Sequence, residues 1–476
     1  MSIDKIEWIS AKKLISPQRF DLIAKYTYVE HKDKKYETDF AKELYTKHIE
    51  AFSGGTYKEP GNDLKNSAKA YVSMFDDIIE SIREDGVIPE KSVIPVSEDG
   101  TITDGAHRTA TAAYYDIMIP CERDQVSPVY NYEFFRKMYL DEFYCDYIAT
   151  KYIEVSEKDV ALFILWPVAL VDKQKYTKAM EFIRANADSK IVYEKKIHIT
   201  YNGIRSFMIQ AYTKHDWVGN YKNHYRGIEG KVDPCFSDNE TIHVYAIEKN
   251  FDEVTVLKEK VRELYGIGNH SCHSTDTKEE SIEMAHLLFN QNSVHLMNYG
   301  KIDWDSMLVS RVFDFKKTLV EKGCSLENYI IDFSSVLGLY ALRKAEDINY
   351  ITIEANDNVW GFDNHHDYIE YYGMTIAELV LNPRNYLYAF GMKFITLDVL
   401  RNFKKARGEE KDKEDILLIE RKLEHSSALK DKLSCEWICI KRKFRNQKSA
   451  IRDWLQSYNI YLFTKLWHLL VGKGFK

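Results

Sequence analysis

Apolar residues between positions 65 and 84 recur at helical spacing, at Ala70, Met74, Ile78 and Ile82, and Asp85-Gly86 closes the segment. A helix with one buried stripe is expected there. The period then changes. Residues 92–96 (Ser-Val-Ile-Pro-Val) and 101–103 (Thr-Ile-Thr) read as short strands around a turn at Glu98-Asp99-Gly100, with a helix expected over 109–115. Residues 130–152 read as an aromatic-rich helical connector. Apolar strands are expected over 160–166, 196–200 and 241–246, then a helix over 253–264 and a polar loop over 268–277. The alternation of strands and helices predicts an α/β (α+β), multidomain chain. The expected units are 1–152, a middle α/β unit over 153–302, a third over 303–428, and a helical tail over 429–476.

Composition narrows the class. A chain of 476 residues exceeds one compact core, and its 45% hydrophobic content is that of a folded protein. A net charge of -7 argues against a protein that coats nucleic acid, which needs clustered excess Lys and Arg. Seven scattered cysteines without a CxxC pair suit neither a disulfide framework nor a zinc ribbon. The first residues lack the apolar core of a secretory signal, and no apolar run approaches the roughly 20 residues that cross a bilayer. A cytoplasmic location is expected.

Between the second strand and its helix stands Asp104-Gly105-Ala106-His107-Arg108. Glycine lets backbone approach an anion, Arg108 can grip phosphate in two places, and Asp104 can hold a metal ion or orient His107. With Thr109-Ala110-Thr111-Ala112-Ala113 behind it, this stretch resembles the loop of the ParB/sulfiredoxin superfamily, the likeness covering roughly residues 59–124. The resemblance implies binding of ATP or another nucleotide with Mg²⁺ at Gly105, Ala106, Arg108 and Thr109. It implies catalysis through Asp104, His107 and Arg108, with Glu59 as an upstream general base and Asp104 as the magnesium ligand. The sulfiredoxin cysteine is replaced by Ala106, and no DNA-binding basic helix accompanies the loop, which leaves small-molecule phosphotransfer.

A second resemblance lies in the third unit. Ser334, Ser335, Arg343, Asp347 and Asn349, in the stretch 333–350, resemble the nucleotidyltransferase superfamily. There a serine loop holds triphosphate and two carboxylates one residue apart on a strand hold two metals. Asn349 stands where that family has Asp. Lys393, Lys411 and Asp412 match the family's ending, and 382–394 is similar to proteins of bacterial capsule and lipopolysaccharide clusters. In the middle unit, His270, His273 and Asp276 with Asp216 and Trp217 are candidates to line a substrate pocket, while Thr277 and Glu280 suit a helix cap.

The tail 441–476 sets nine Lys and Arg against one acid, Asp453, interleaved with Trp454 and Trp467, which suits peripheral contact with anionic lipid on the inner membrane face. Together these readings predict an ATP-dependent kinase of a sugar or alcohol hydroxyl in surface-polysaccharide assembly, with a lipid-linked glycan as one acceptor. Two rivals stand beside it: a nucleotidyltransferase activating a sugar or alditol phosphate, and a nucleotide-gated ParB-like regulator.

Overall fold

A computed structural model describes residues 6–58, 64–90, 92–126, 128–345, 347–354 and 358–424. Glu59 and the whole tail 429–476 lie outside the described residues, so both readings stand as expectations. Three small sheets with helices around them make a mixed α/β chain. No helix among the described residues is long and apolar enough to cross a membrane.

The first segment runs β1 (Glu7–Ser10), α1 (Asp21–Asp33), α2 (Phe40–Phe52), α3 (Ala68–Asp85), β2 (Ile94–Val96), α4 (Ala106–Tyr114), β3 (Met118–Arg123), α5 (Tyr132–Lys137) and α6 (Glu142–Val155). Its sheet has the order β1-β3-β2, with β3 antiparallel to β1 and parallel to β2. The Ser67 hydroxyl starts α3 by accepting from the Ala70 amide at 3.2 Å, and Gly86 at φ 70° ends it. Its buried stripe is Tyr71, Phe75, Ile79 and Ile82, the first three one position after those expected from the sequence and Ile82 as expected. The Thr-Ile-Thr segment is a single bridge between Val96 and Ile102 rather than a strand.

The second segment runs β4 (Ala161–Leu165), α7 (Lys173–Ala187), β5 (Ile191–His198), α8 (Tyr201–Tyr212), α9 (Glu229–Cys235), β6 (Thr241–Ile247), α10 (Phe251–Tyr265), β7 (Cys272–Ser274), α11 (Lys278–Leu288) and α12 (Gln291–Tyr299). The antiparallel sheet order β5-β6-β4-β7, with α7 and α10 as crossovers, is a split β-α-β arrangement. Strand β4 is buried on both faces, which is why it reads as a continuous apolar run. Ala161, Phe163 and Leu165 face α7 and α10, while Leu162 and Ile164 join the core shared with the rest of the chain.

The third segment runs α13 (Ser306–Glu321), β8 (Tyr329–Ile331), α14 (Ser334–Leu339), β9 (Asn349–Thr352), β10 (Asp363–Asn364), α15 (Ile376–Leu381), β11 (Tyr386–Ala389), β12 (Met392–Ile395), α16 (Leu397–Arg407) and α17 (Glu410–Glu424). Its mixed sheet has the order β10-β9-β8-β12-β11. The β11–β12 turn uses Phe390 and Gly391, both at positive φ, as a two-residue hairpin requires. One contiguous core runs from Ala11 to Ile419 through all three segments. Cross-segment polar contacts reinforce it: Thr38 donates to Glu378 at 2.6 Å, and Arg384 donates to Glu43 and to the Tyr144 hydroxyl.

Phe163 lies fully buried in the middle of β4. Phe163→Ala is expected to destabilise the chain by about 3–5 kcal/mol, read from chemical denaturation.

Candidate functional site

Gly105 precedes α4 at φ 79°, and a Cβ there would lie 2.5 Å from Ile94 Cδ1, so both conformation and packing require glycine. No side chain caps α4. The first-turn amides of a helix have no acceptor within it, and the helix dipole adds partial positive charge at that end. Arg108 folds back over Gly105, its Nη2 3.5 Å from Asp104 Oδ2, and Asp104 is exposed. The start of α4 therefore has the character of an anion site.

His107 is half-buried and turns inward. Its Nε2 is 2.9 Å from the Tyr45 hydroxyl, and its ring meets Phe75 edge-on at 4.7 Å. The histidine is thus held by Tyr45 of α2, and not by Asp104 as the motif suggested. Behind it lies a buried ionic cluster. Arg19 donates to both carboxylate oxygens of Asp21, and Lys25 donates to Asp21 Oδ2 at 2.7 Å and to His48 Nε2 at 3.0 Å. Burial opposes the charge on Asp21, but Arg19 and Lys25 overcome it and hold the carboxyl well below its usual range. Burial, then Lys25 and Lys65, push His107 well below 6.5, and burial with Lys25 does the same to His48. At neutral pH His107 is an uncharged imidazole in a positively polarised setting.

Of the other residues assigned to this loop, Ala106 is half-buried beside His107. Thr109 turns into the core, fully buried, so its hydroxyl does not face the loop's ligand side. Asp104 offers a single exposed carboxylate, and no group of three or more His, Cys, Asp or Glu among the described residues gathers to hold a metal. Mg²⁺ commonly binds through one or two carboxylates plus substrate phosphates, and Asp104 suits that mode rather than a protein cage.

The third segment brings some of its candidates together. Asn349 Nδ2 is 3.4 Å from Asp347 Oδ1, and Ser335 donates to the Asp347 carbonyl at 3.4 Å. Asp363, which the sequence reading did not single out, stands opposite Asn349 in the β9–β10 register and shares a cavity of about 530 Å³ with Asp347. Ser334 is buried on α14, after Phe333, whose φ is 54°.

The remaining candidates go elsewhere. Arg343 pairs with Asp415 at 3.5 Å and Lys411 with Glu409 at 2.8 Å. Asp412 is buried between Lys404 and Arg407, which hold its carboxyl at about 2 against its burial. Lys393 reaches away from Asp347 to the Glu327 carboxylate at 2.9 Å and the Val380 carbonyl at 3.1 Å.

In the middle segment His273 Nδ1 is 3.2 Å from the Tyr212 hydroxyl, and Tyr212 packs against Trp217 with ring centroids 5.6 Å apart. His270 turns to Cys235 at 3.9 Å, Asp276 to Lys258 at 3.3 Å, and Asp216 is exposed. His198 and His273 lie on opposite edge strands of their sheet. Thr277 caps α11 by accepting from Glu280 N at 3.1 Å, while Glu280 reaches back to the Asp276 amide at 2.7 Å.

Comparisons with protein-family models, with curated proteins and with solved structures find no match for this chain.

The buried imidazoles give a pH signature. The fold favours neutral His48 and His107, so below about pH 6.5 the unfolded chain binds more protons and the folded state loses stability. His48→Gln is expected to flatten that descent, measured as melting temperature against pH between about pH 7 and 5.

Proposed function

We propose that this chain is a nucleotide-dependent phosphotransferase acting on a hydroxyl acceptor, with the loop at residues 104–108 as its phosphate site. One observation carries the reading. A left-handed glycine opens a nine-residue helix whose first turn presents uncapped amides, a guanidinium and a neutral imidazole together. Phosphoryl transfer asks mainly for positioning and for positive charge around the transferring oxygens. The amides of α4 and Arg108 supply donors, and Lys25 and Lys65 add positive potential around His107. His107, uncharged and fixed through Tyr45, is suited to take the proton of the attacking hydroxyl. Magnesium arriving on the nucleotide would meet Asp104. A sugar or alcohol acceptor in bacterial surface-polysaccharide assembly follows from the resemblance of residues 382–394, and a tail resting on anionic lipid would bring the enzyme to a lipid-linked one.

Nucleotidyl transfer at the third sheet is the second reading, and Asp347 and Asp363 lining one cavity favour it. Two carboxylates there offset the amide of Asn349.

His107→Ala is expected to lower transfer from ATP by about 10²–10⁴-fold and Arg108→Ala by about 10²–10³-fold, with the circular-dichroism spectrum unchanged. Wild-type ADP release in His107→Ala would overturn the reading. The two readings separate on products: pyrophosphate release that disappears in Asp347→Ala and Asp363→Ala but persists in His107→Ala belongs to the third sheet.

A further inference from the structure

A cavity of about 350 Å³ opens where α1, α6, α11, α12 and the β11–β12 hairpin meet, drawing its walls from all three segments. Its charges are already paired, most with one another, Asp146 with Lys195 and Arg384 with Glu43 just outside the lining. Lys151 lies 2.8 Å from Glu30 and 3.6 Å from Glu154. His286 Nε2 is 2.9 Å from Glu154, and Lys393 is 2.9 Å from Glu327. Burial resists the charge on Glu30 and Glu327, yet their lysine partners hold both near 2. Within the lining, Glu30, Glu154 and Glu327 stand against Lys34, Lys151 and Lys393, so these closed pairs leave no unmatched formal charge for a ligand. The His286 ring stacks on Tyr388 at 3.9 Å with 9° between planes, which sets a flat wall beside these polar groups.

The His31 ring also lines this cavity. His31 is only 7% exposed, and its Nδ1 has no hydrogen-bond partner among the described residues.

We propose that this junction cavity binds a small neutral polyhydroxylated molecule, of monosaccharide or alditol size, with the His31 ring among its polar contacts. Volume and polarity fit: small-molecule sites of about 300 Å³ upward hold a few placed polar groups and flat apolar faces. Hydroxyls can donate to the carboxylates and accept from the lysines without breaking the pairs. A ligand with net charge would have to unbalance them, leaving a buried ion without its counter-ion. The site is distinct from the loop at residues 104–108, and its occupancy is independent of whether that loop transfers phosphate.

The test is calorimetric titration and thermal shift on the full chain without nucleotide, using D-glucose, ribitol and D-glucitol, with D-gluconate as the charged analogue of glucitol. Saturable binding of at least one neutral polyol is expected, with a melting temperature that rises with its concentration and affinity at least tenfold above that of gluconate. His31→Phe should weaken that binding about tenfold, which is one hydrogen bond's worth at 1.4 kcal/mol, without lowering the melting temperature of the free protein. Thr150→Phe, which fills the cavity from α6, should abolish binding and serves if His31→Phe fails to fold. Absence of saturable binding by all three polyols, gluconate binding as tightly as glucitol, or affinity untouched by both variants overturns the proposal.

Discussion

An ion buried inside a protein costs several kcal/mol unless an opposite charge meets it, and helix α1 is arranged around that constraint. Most of its positions are buried, including Asp21, Lys25 and His31. Asp21 and Lys25, four residues apart on one face, pair with each other and with Arg19, and Arg19 also donates to the Ile102 carbonyl. That last bond ties the start of α1 to the segment leading into the loop at residues 104–108. Near its other end, Glu30 meets Lys151 of α6 and so enters the ionic chain that continues through Glu154, His286, Glu327 and Lys393. Both candidate sites thus depend on the same helix keeping its charges matched.

The two sites use charge in opposite ways. At the loop, the positive groups around His107 exceed what Asp21 neutralises, because Lys25 and Lys65 both act on the imidazole beyond its burial. Burial first, and then that surplus, keep His107 unprotonated. At the junction the pairs are closed, and burial with its neighbours pushes His31 down to about 4, so it is neutral for want of water more than for any nearby cation. The first arrangement suits phosphate. The second suits a molecule that offers hydroxyls and no charge.

Local features were legible in the sequence. The continuous apolar run of β4, the helix ended by Gly86 and the glycine-opened loop before α4 each announce themselves within a few residues. Partners from distant parts of the chain were not. Tyr45 reaches His107 across 62 positions, and nothing in the loop's own sequence marks a tyrosine on α2. Lys393 sits near the third segment's other candidates in sequence, yet β12 pairs with β8 at Ile330 and Ile331, and its ammonium reaches Glu327 on the junction side. Asp363 was missed because a two-residue strand leaves almost no periodic signal, although its register places it opposite Asn349. The junction cavity combines residues from Glu30 to Lys393, a span over which no local pattern can speak.

The shared helix also determines which substitutions can report on function. Removing Lys25 would leave Asp21 buried with Arg19 alone and take away the donor to His48, so the loss would register as unfolding before it registered as lost chemistry. Lys393 carries the same liability, since it is buried and held by the Glu327 carboxylate and the Val380 carbonyl. Arg108 does not, because it is only half-buried and contacts Asp104 loosely, at 3.5 Å, whereas replacing His107 also removes its bond to Tyr45. His31 stands apart from all of these, since its Nδ1 makes no hydrogen bond that a substitution could break. A change in binding there is therefore easier to tell from a change in folding than one at the ionic residues around it, with the edge-on packing of its ring against Tyr36 as the contact to preserve.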